Sequence, residues 1–206
     1  MKERPIIFNA EMIRSILSGN KTQTRRIMKP QPEACPRGGH WWPSDKHRTM
    51  LHVEEALQNS EGIWAGIVGD ACPFGDVGDH LWVREAFGDC GVRLVYRADT
   101  DDGAACKVRR WTPSIHMPRE ASRLTLEITG VRVERLNDIS EQDARAEGVG
   151  RLKGGFWRHY QPGWTQHQLS ARGSFVTLWK SIYGDESWQA NPWVWVIEFC
   201  RAGGAE

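Results

Sequence analysis

Apolar positions recur every three to four residues between Asn9 and Gly19, where Met12, Ile13, Ile16 and Leu17 form one stripe of a helix. Asn9 suits the N-cap, because its side-chain oxygen can take an exposed backbone N–H, and Gly19 suits a left-handed stop. A short apolar run precedes this helix at 5–8, and a strand is predicted after it at 22–28. Regularity then lapses over 29–79, which carries Pro30, Pro32, Pro36, Pro43 and Pro73 and only a weak helical stretch at 52–57. A long, mostly irregular insertion is predicted there. Alternation returns at 80–86, 92–98 and 114–117, and is longest at 123–136, where Gly130 marks a bulge or bend. These segments are predicted to be strands of an antiparallel sheet. Ser140 with Asp143 three residues on starts a short helix in the manner of a capping box, Glu147 is its last residue, and Gly148 stops it. A further helix at 175–183 ends at Gly184, and 193–200 alternates as a final strand after Asn191-Pro192. Many strands with few short helices predict an α+β fold built on a mixed barrel.

At 206 residues and 40% apolar content the chain fits one domain, 1–206, with loop insertions at about 29–79 and 150–173. No apolar run approaches the roughly 18 residues that span a bilayer, so no membrane partner is expected and the chain reads as cytoplasmic. Cys35, Cys72, Cys90, Cys106 and Cys200 are odd in number and irregularly spaced, which predicts reduced thiols. A net charge of +1 argues against a general polyanion binder, since nonspecific affinity comes from many phosphate contacts. Any contact with RNA is then local, and Lys21, Arg25 and Arg26 are the cations gathered for it. Of the eleven tryptophans, most are expected in packing and one or two as a platform for a base.

The segment G-N-K-T-Q-T-R-R at 19–26 resembles the G-x-K-T-x-T-x-R motif of ASCH domains, small β-barrels of the PUA-like superfamily, and its longer phrasing from Ile6 resembles phage and prophage members. Further segments follow in the family's order: V-G-D-H-L-W-V-R-E at 77–85, W-T-P-S-I-H-M-P at 111–118, L-N-D-I-S-E-Q-D-A-R-A-E-G-V at 136–149, F-V-T-L-W-K-S-I-Y-G at 175–184 and N-P-W-V-W-V-I-E-F at 191–199. The resemblance implies a PUA-like mixed β-barrel and similarity to N4-acetylcytidine amidohydrolases, which need no metal or other cofactor. Lys21, Thr24 and Glu147 match the positions that pattern uses as a catalytic trio. The implied substrate is a small nucleoside carrying an N4-acyl amide. A noncatalytic module that reads RNA or a modified base, and an RNA-cleaving member, are the alternatives.

The residue types suit the chemistry. Amide hydrolysis needs a nucleophile, a group that handles its proton, and donors aimed at the developing oxyanion. Either Thr24 attacks with Lys21 as base, or Glu147 activates water while protonated Lys21 and Thr24 stabilise the oxyanion. Lys21 acts as a base only if burial or nearby cations such as Arg25 and Arg26 pull it below its reference value of about 10.4. At a surface corner, loss of Lys21 or Thr24 is expected to cost little stability. Arg26 matches the motif's arginine and either contacts ligand or holds the corner. Trp82 and Arg84 alternate onto one face with Glu85 on the other, so they either line the pocket or, for Arg84 and Glu85, pair across strands. His116 lies between apolar neighbours near a predicted strand end, as a core histidine or a substrate contact. Cys35, His40, His47, His52 and Cys72 show no metal-ligand spacing, and there is no phosphate-cradling G-x-x-x-x-G-K-[ST] loop or G-x-S-x-G elbow.

Overall fold

The computed structural model describes residues 1–59, 61–99 and 108–203. In chain order, β1 (Glu3–Ile7) leads into α1 (Ala10–Leu17) and β2 (Gln23–Ile27). Asn9 caps α1 by accepting from the Met12 N–H at 2.9 Å, and Gly19 takes a φ of 76°. The insertion holds β3 (Glu33–Ala34), β4 (His40–Ser44), β5 (Thr49–His52), one π-helical turn at Val53–Leu57 and α2 (Ile67–Ala71). Then come β6 (His80–Arg84), β7 (Phe87–Asp89), β8 (Leu94–Tyr96), β9 (Thr125–Arg135), α3 (Glu141–Ala146), α4 (Ala171–Tyr183), α5 (Glu186–Gln189) and β10 (Trp193–Arg201).

The main sheet has five strands in the order β1-β6-β9-β10-β2. β1 pairs with β6 in parallel, and the other pairs are antiparallel, so the sheet is mixed and not antiparallel throughout. A parallel pair needs a long crossover, and the chain between Ile7 and His80 supplies it. No local pattern could reveal that pairing. Along β9 and β10 the register shifts between Glu198 opposite Gly130 and Phe199 opposite Ile128, so Thr129 is the extra residue of a bulge.

The sheet stays open, with β1 and β2 as its edges. Side-chain bonding links those edges: Arg26 Nη2 on β2 donates to the Ile7 carbonyl at the end of β1, 2.7 Å away. The mixed α+β architecture is therefore present, and a hydrogen-bonded barrel closure is not among the described strands.

Two expectations about segments change. The 29–79 insertion is ordered into a three-stranded sheet, β3-β4-β5, whose Trp42 and Leu51 join Val53, Ala56 and Leu57 over Trp193 and Trp195 of β10. Trp42 and Trp195 meet edge to face at 5.4 Å between centroids. Residues 114–117, predicted as strand, instead form a 3-10 turn at Ser114–His116, as Pro113 and Pro118 lack the N–H that a ladder requires. Among the cysteines, Cys35, Cys72 and Cys200 are free, but Cys90 is disulfide-bonded, which corrects the wholly reduced set; Cys106 lies outside the described residues.

β10 is covered on both faces, which is why its sequence is apolar at nearly every position. Trp193, Trp195 and Ile197 face the insertion and α1, whereas Val194 and Val196 face Phe175, Leu178 and Trp179 of α4. Cross-strand partners share a face, so Thr24 (opposite Ile197) and Arg26 (opposite Trp195) point one way and Arg25 (opposite Val196) the other. At the β2 edge these two faces meet.

Candidate functional site

A backbone bridge between the start of β2 and the end of α3 brings Lys21 and Glu147 together. Glu147 is the C-cap of α3, whose N-cap Ser140 accepts from the Asp143 N–H at 3.0 Å, and Lys21 and Glu147 form an isolated antiparallel bridge. Thr22 N–H donates to the Ala146 carbonyl at 2.8 Å, pinning the α3 terminus against the start of β2. Gly148 follows with a φ of 81°, and a Cβ there would stand 2.6 Å from the Cβ of Lys21. Only glycine allows that approach without strain.

The Lys21 side chain is fully buried. Its ammonium donates to the Gln23 carbonyl at 2.8 Å, the Glu147 carbonyl at 2.9 Å and Glu147 Oε2 at 2.8 Å. Three acceptors match the three N–H bonds of an ammonium. Burial pushes the Lys21 pKa below its ordinary value, Glu147 pulls it back by charge and hydrogen bond, and Arg26 and Arg25 push it down again.

The other Glu147 oxygen, Oε1, accepts from Arg25 Nη1 at 3.2 Å. Arg25 is itself buried and splits its donors between Gln23 Oε1 at 2.6 Å, Glu134 Oε1 and Asp143 Oδ2, the last at 3.3 Å. Arg132 continues the chain of charges to Glu134, Asp143 and Glu198. Arg25 is thus a structural hub that joins β2, β9 and α3. Such a polar network is worth having only when every member is paired, as here.

Thr24, Arg25, Arg26 and Glu147 line a pocket of about 230 Å³ at the β2 edge. Ile7 and Met12 close it on one side, and Phe175, Leu178, Trp179, Ile182 and Tyr183 of α4 on the other. Lys21 is not part of its wall; it stands behind Glu147. The five aromatic and aliphatic α4 positions were not singled out from the sequence, although Phe175, Trp179 and Tyr183 recur at four-residue spacing, the signal of one helix face.

The remaining candidates lie elsewhere. Trp82 and Arg84 do share a face, with the guanidinium 5.4 Å from the indole centroid, and Arg84 donates to the Ile115 carbonyl. Glu85 is buried and accepts from Arg123 at 2.9 and 3.1 Å, in a pair that Asp99 extends. His116 is exposed on its 3-10 turn, not in the core. None of these four lines the pocket. Arg26 bridges the sheet edges and also lines the pocket, so both of its expected roles are compatible. Lys21 and Thr24 are both buried, not at a surface corner as expected, so the small stability cost expected for their loss no longer follows.

A second, larger cleft of about 680 Å³ opens on the other side of the Lys21–Glu147 bridge. Exposed Arg14, Arg145 and Arg151 line it together with Trp157 and Tyr160 from the 150–173 segment. Among the described residues, no group of three or more His, Cys, Asp or Glu side chains is arranged to hold a metal ion, and no helix is long and apolar enough to cross a membrane.

No family model, curated protein or solved structure matches this chain. Geometry and the sequence motifs carry the functional reading.

Proposed function

We propose that the chain is an ASCH-type amidohydrolase of the PUA-like superfamily that removes the N4-acyl group from a cytidine-type nucleoside. The observation that carries this reading is the meeting of Glu147 with Thr24 in the wall of one pocket, with Lys21 Nζ 2.8 Å from the Glu147 carboxylate, although Thr24 and Glu147 are 123 residues apart in sequence (147 − 24). A pocket of about 230 Å³ is smaller than the roughly 300–1,000 Å³ of drug-sized ligand sites, which suits a single base and its acyl group rather than a polymer.

Of the two mechanisms open to these residues, pocket access favours the one that uses water. Glu147 reaches the pocket and Lys21 does not, so Glu147 takes a proton from water as the oxygen attacks the acyl carbon. The Thr24 hydroxyl donates to the oxyanion. The C–N4 bond then breaks, the proton passes to N4, and cytidine and a carboxylic acid leave. Lys21 and Arg25 act as positioning residues, each holding one oxygen of the Glu147 carboxylate.

A binding module for RNA is the second reading, favoured by the cleft that Arg14, Arg145 and Arg151 line. The burial of Lys21 and Arg25 weighs against those two as phosphate contacts. Incubating the purified chain with N4-acetylcytidine separates the readings. Release of cytidine and acetate at a rate that barely depends on salt supports the hydrolase, whereas absence of turnover with RNA affinity that falls steeply with salt supports the binding module.

A further inference from the structure

Like charges repel, so a concave surface that gathers cations from separate elements calls for an anion to offset them. The cleft of about 680 Å³ does this with Arg14 of α1, Arg145 of α3 and Arg151 after Gly148, all three exposed to solvent. Glu11 is the one carboxylate in its wall among the described residues, and Arg158 Nη1 already holds it at 2.7 Å. The three guanidiniums keep donors to give. Arg14 spends one Nη1 bond on the Ala98 carbonyl at 3.2 Å. Arg145 Nη2 is 3.6 Å from Glu141, beyond hydrogen bonding, and the Glu141 carboxylate accepts from the Ala171 and Arg172 N–H groups at 2.7 and 2.9 Å. The Arg151 side chain has no partner among the described residues.

The kind of anion follows from what stands beside these cations. The open fork of Nε and Nη2 on an arginine matches two oxygens of a phosphate. The Arg145 guanidinium is 5.6 Å from the ring centroid of half-buried Trp157, so aromatic surface and charge share one wall. A nucleobase stacks on either kind of plane. The volume falls within the roughly 300–1,000 Å³ of small-molecule sites and leaves room for one nucleotide. A strand of RNA needs cations repeated along a track, which a net charge of +1 and three clustered arginines do not provide. We propose that this cleft binds one nucleoside 5′-phosphate, with its phosphate on Arg14, Arg145 and Arg151 and its base against Trp157. The site is separate from the pocket that Thr24 and Glu147 line, and the inference does not depend on the amidohydrolase reading.

The test is the binding of adenosine 5′-monophosphate, whose base keeps it distinct from the cytidine expected in the pocket, measured by calorimetry and by backbone N–H resonances of 15N-labelled protein. In the wild type, adenosine should bind at least about tenfold more weakly, because it lacks the charged acceptor. Ribose 5-phosphate should also bind about tenfold more weakly, because it lacks the base. The Gly148 and Gly150 N–H resonances, from the cleft wall, should shift with the nucleotide. Arg151→Gln removes one exposed cation; it should weaken nucleotide binding about tenfold, and adding Arg145→Gln about a hundredfold in all. The wild-type measurements decide the matter even if a variant fails to fold. No binding of the nucleotide, equal affinity for adenosine or for ribose 5-phosphate, unmoved glycine resonances, or unchanged affinity in a folded double variant overturns the inference. So does an oligoadenylate without terminal phosphate that binds more tightly than the nucleotide and loses affinity steeply with salt, since that marks a track for a strand.

Discussion

Replacing Lys21 by methionine keeps the length of the side chain and removes its charge, so it isolates the ion pair on which the site is built. The Lys21 and Glu147 side chains are 0% and 3% exposed. Removing one partner of a buried pair costs about 3–5 kcal/mol, much of it the desolvation of the charge left behind. Here Arg25 still holds Glu147 Oε1 at 3.2 Å, which favours the lower end, about 3 kcal/mol. For a chain of this size each kcal/mol lowers Tm by about 2–4 °C, giving a fall of about 6–12 °C. Adding Glu147→Gln removes the stranded charge and should recover most of that loss, a coupling that a double-mutant cycle reads directly. Differential scanning calorimetry of the two single variants, the double variant and the wild type measures it. A Lys21→Met protein that melts within about 1 °C of the wild type, or a double variant no more stable than Lys21→Met, refutes the buried-pair argument.

Gly148→Ala places a Cβ 2.3 Å from Ser15 Oγ and 2.6 Å from Lys21 Cβ at a φ of 81°, so urea unfolding should show a loss of about 1–3 kcal/mol. For acid stability, burial would raise the Asp143 carboxyl, but Gln23, Arg132, Ser140 and Arg25 hold it below its ordinary 3.8; the Arg172 and Ala171 N–H groups and Arg145 likewise outweigh burial and hold Glu141 below 4.5. These depressed carboxyls contribute stability that is fully present above about pH 4.5 and is lost as the pH falls through their folded-state values, so Tm should be flat near neutrality and drop below about pH 4. A Tm that rises on acidification across that range contradicts the network. Burial pushes the Cys72 thiol up to about 11, whereas Cys200 is exposed, so mass spectrometry after limited native alkylation should find Cys200 modified and Cys72 spared.

The elements that could be read from sequence are those specified locally. Asn9 and Gly19 bound α1, Ser140 and Gly148 bound α3, and Gly130 sits at the β9 bulge, because caps, stops and bulges are fixed by residues within a few positions. The convergence of Lys21 and Glu147 came from motif matching, since spacing alone cannot join residues 126 apart. What stayed hidden depends on partners far along the chain. The parallel β1–β6 pair is one case, and the ordering of the insertion by Trp42 against Trp195 is another. The Arg25 network is a third: Glu134 and Asp143 have the polar character of solvated positions until β2 and β9 bring a guanidinium between them. Arg132 and Glu134 nonetheless alternate with Val131 and Val133 along β9, and Arg25 falls on the same face of the sheet, which is the trace such a network leaves.

The most direct test of the central claim is the rate at which Glu147→Gln releases cytidine from N4-acetylcytidine, set beside the wild type and checked for an intact fold by circular dichroism. Glutamine is nearly isosteric, but it cannot take a proton from water. The amidohydrolase account predicts activity at least about a hundredfold below that of the wild type, the scale for losing a positioned general base. Turnover near the wild-type rate in the folded variant would contradict the assignment of Glu147 as the base that activates water.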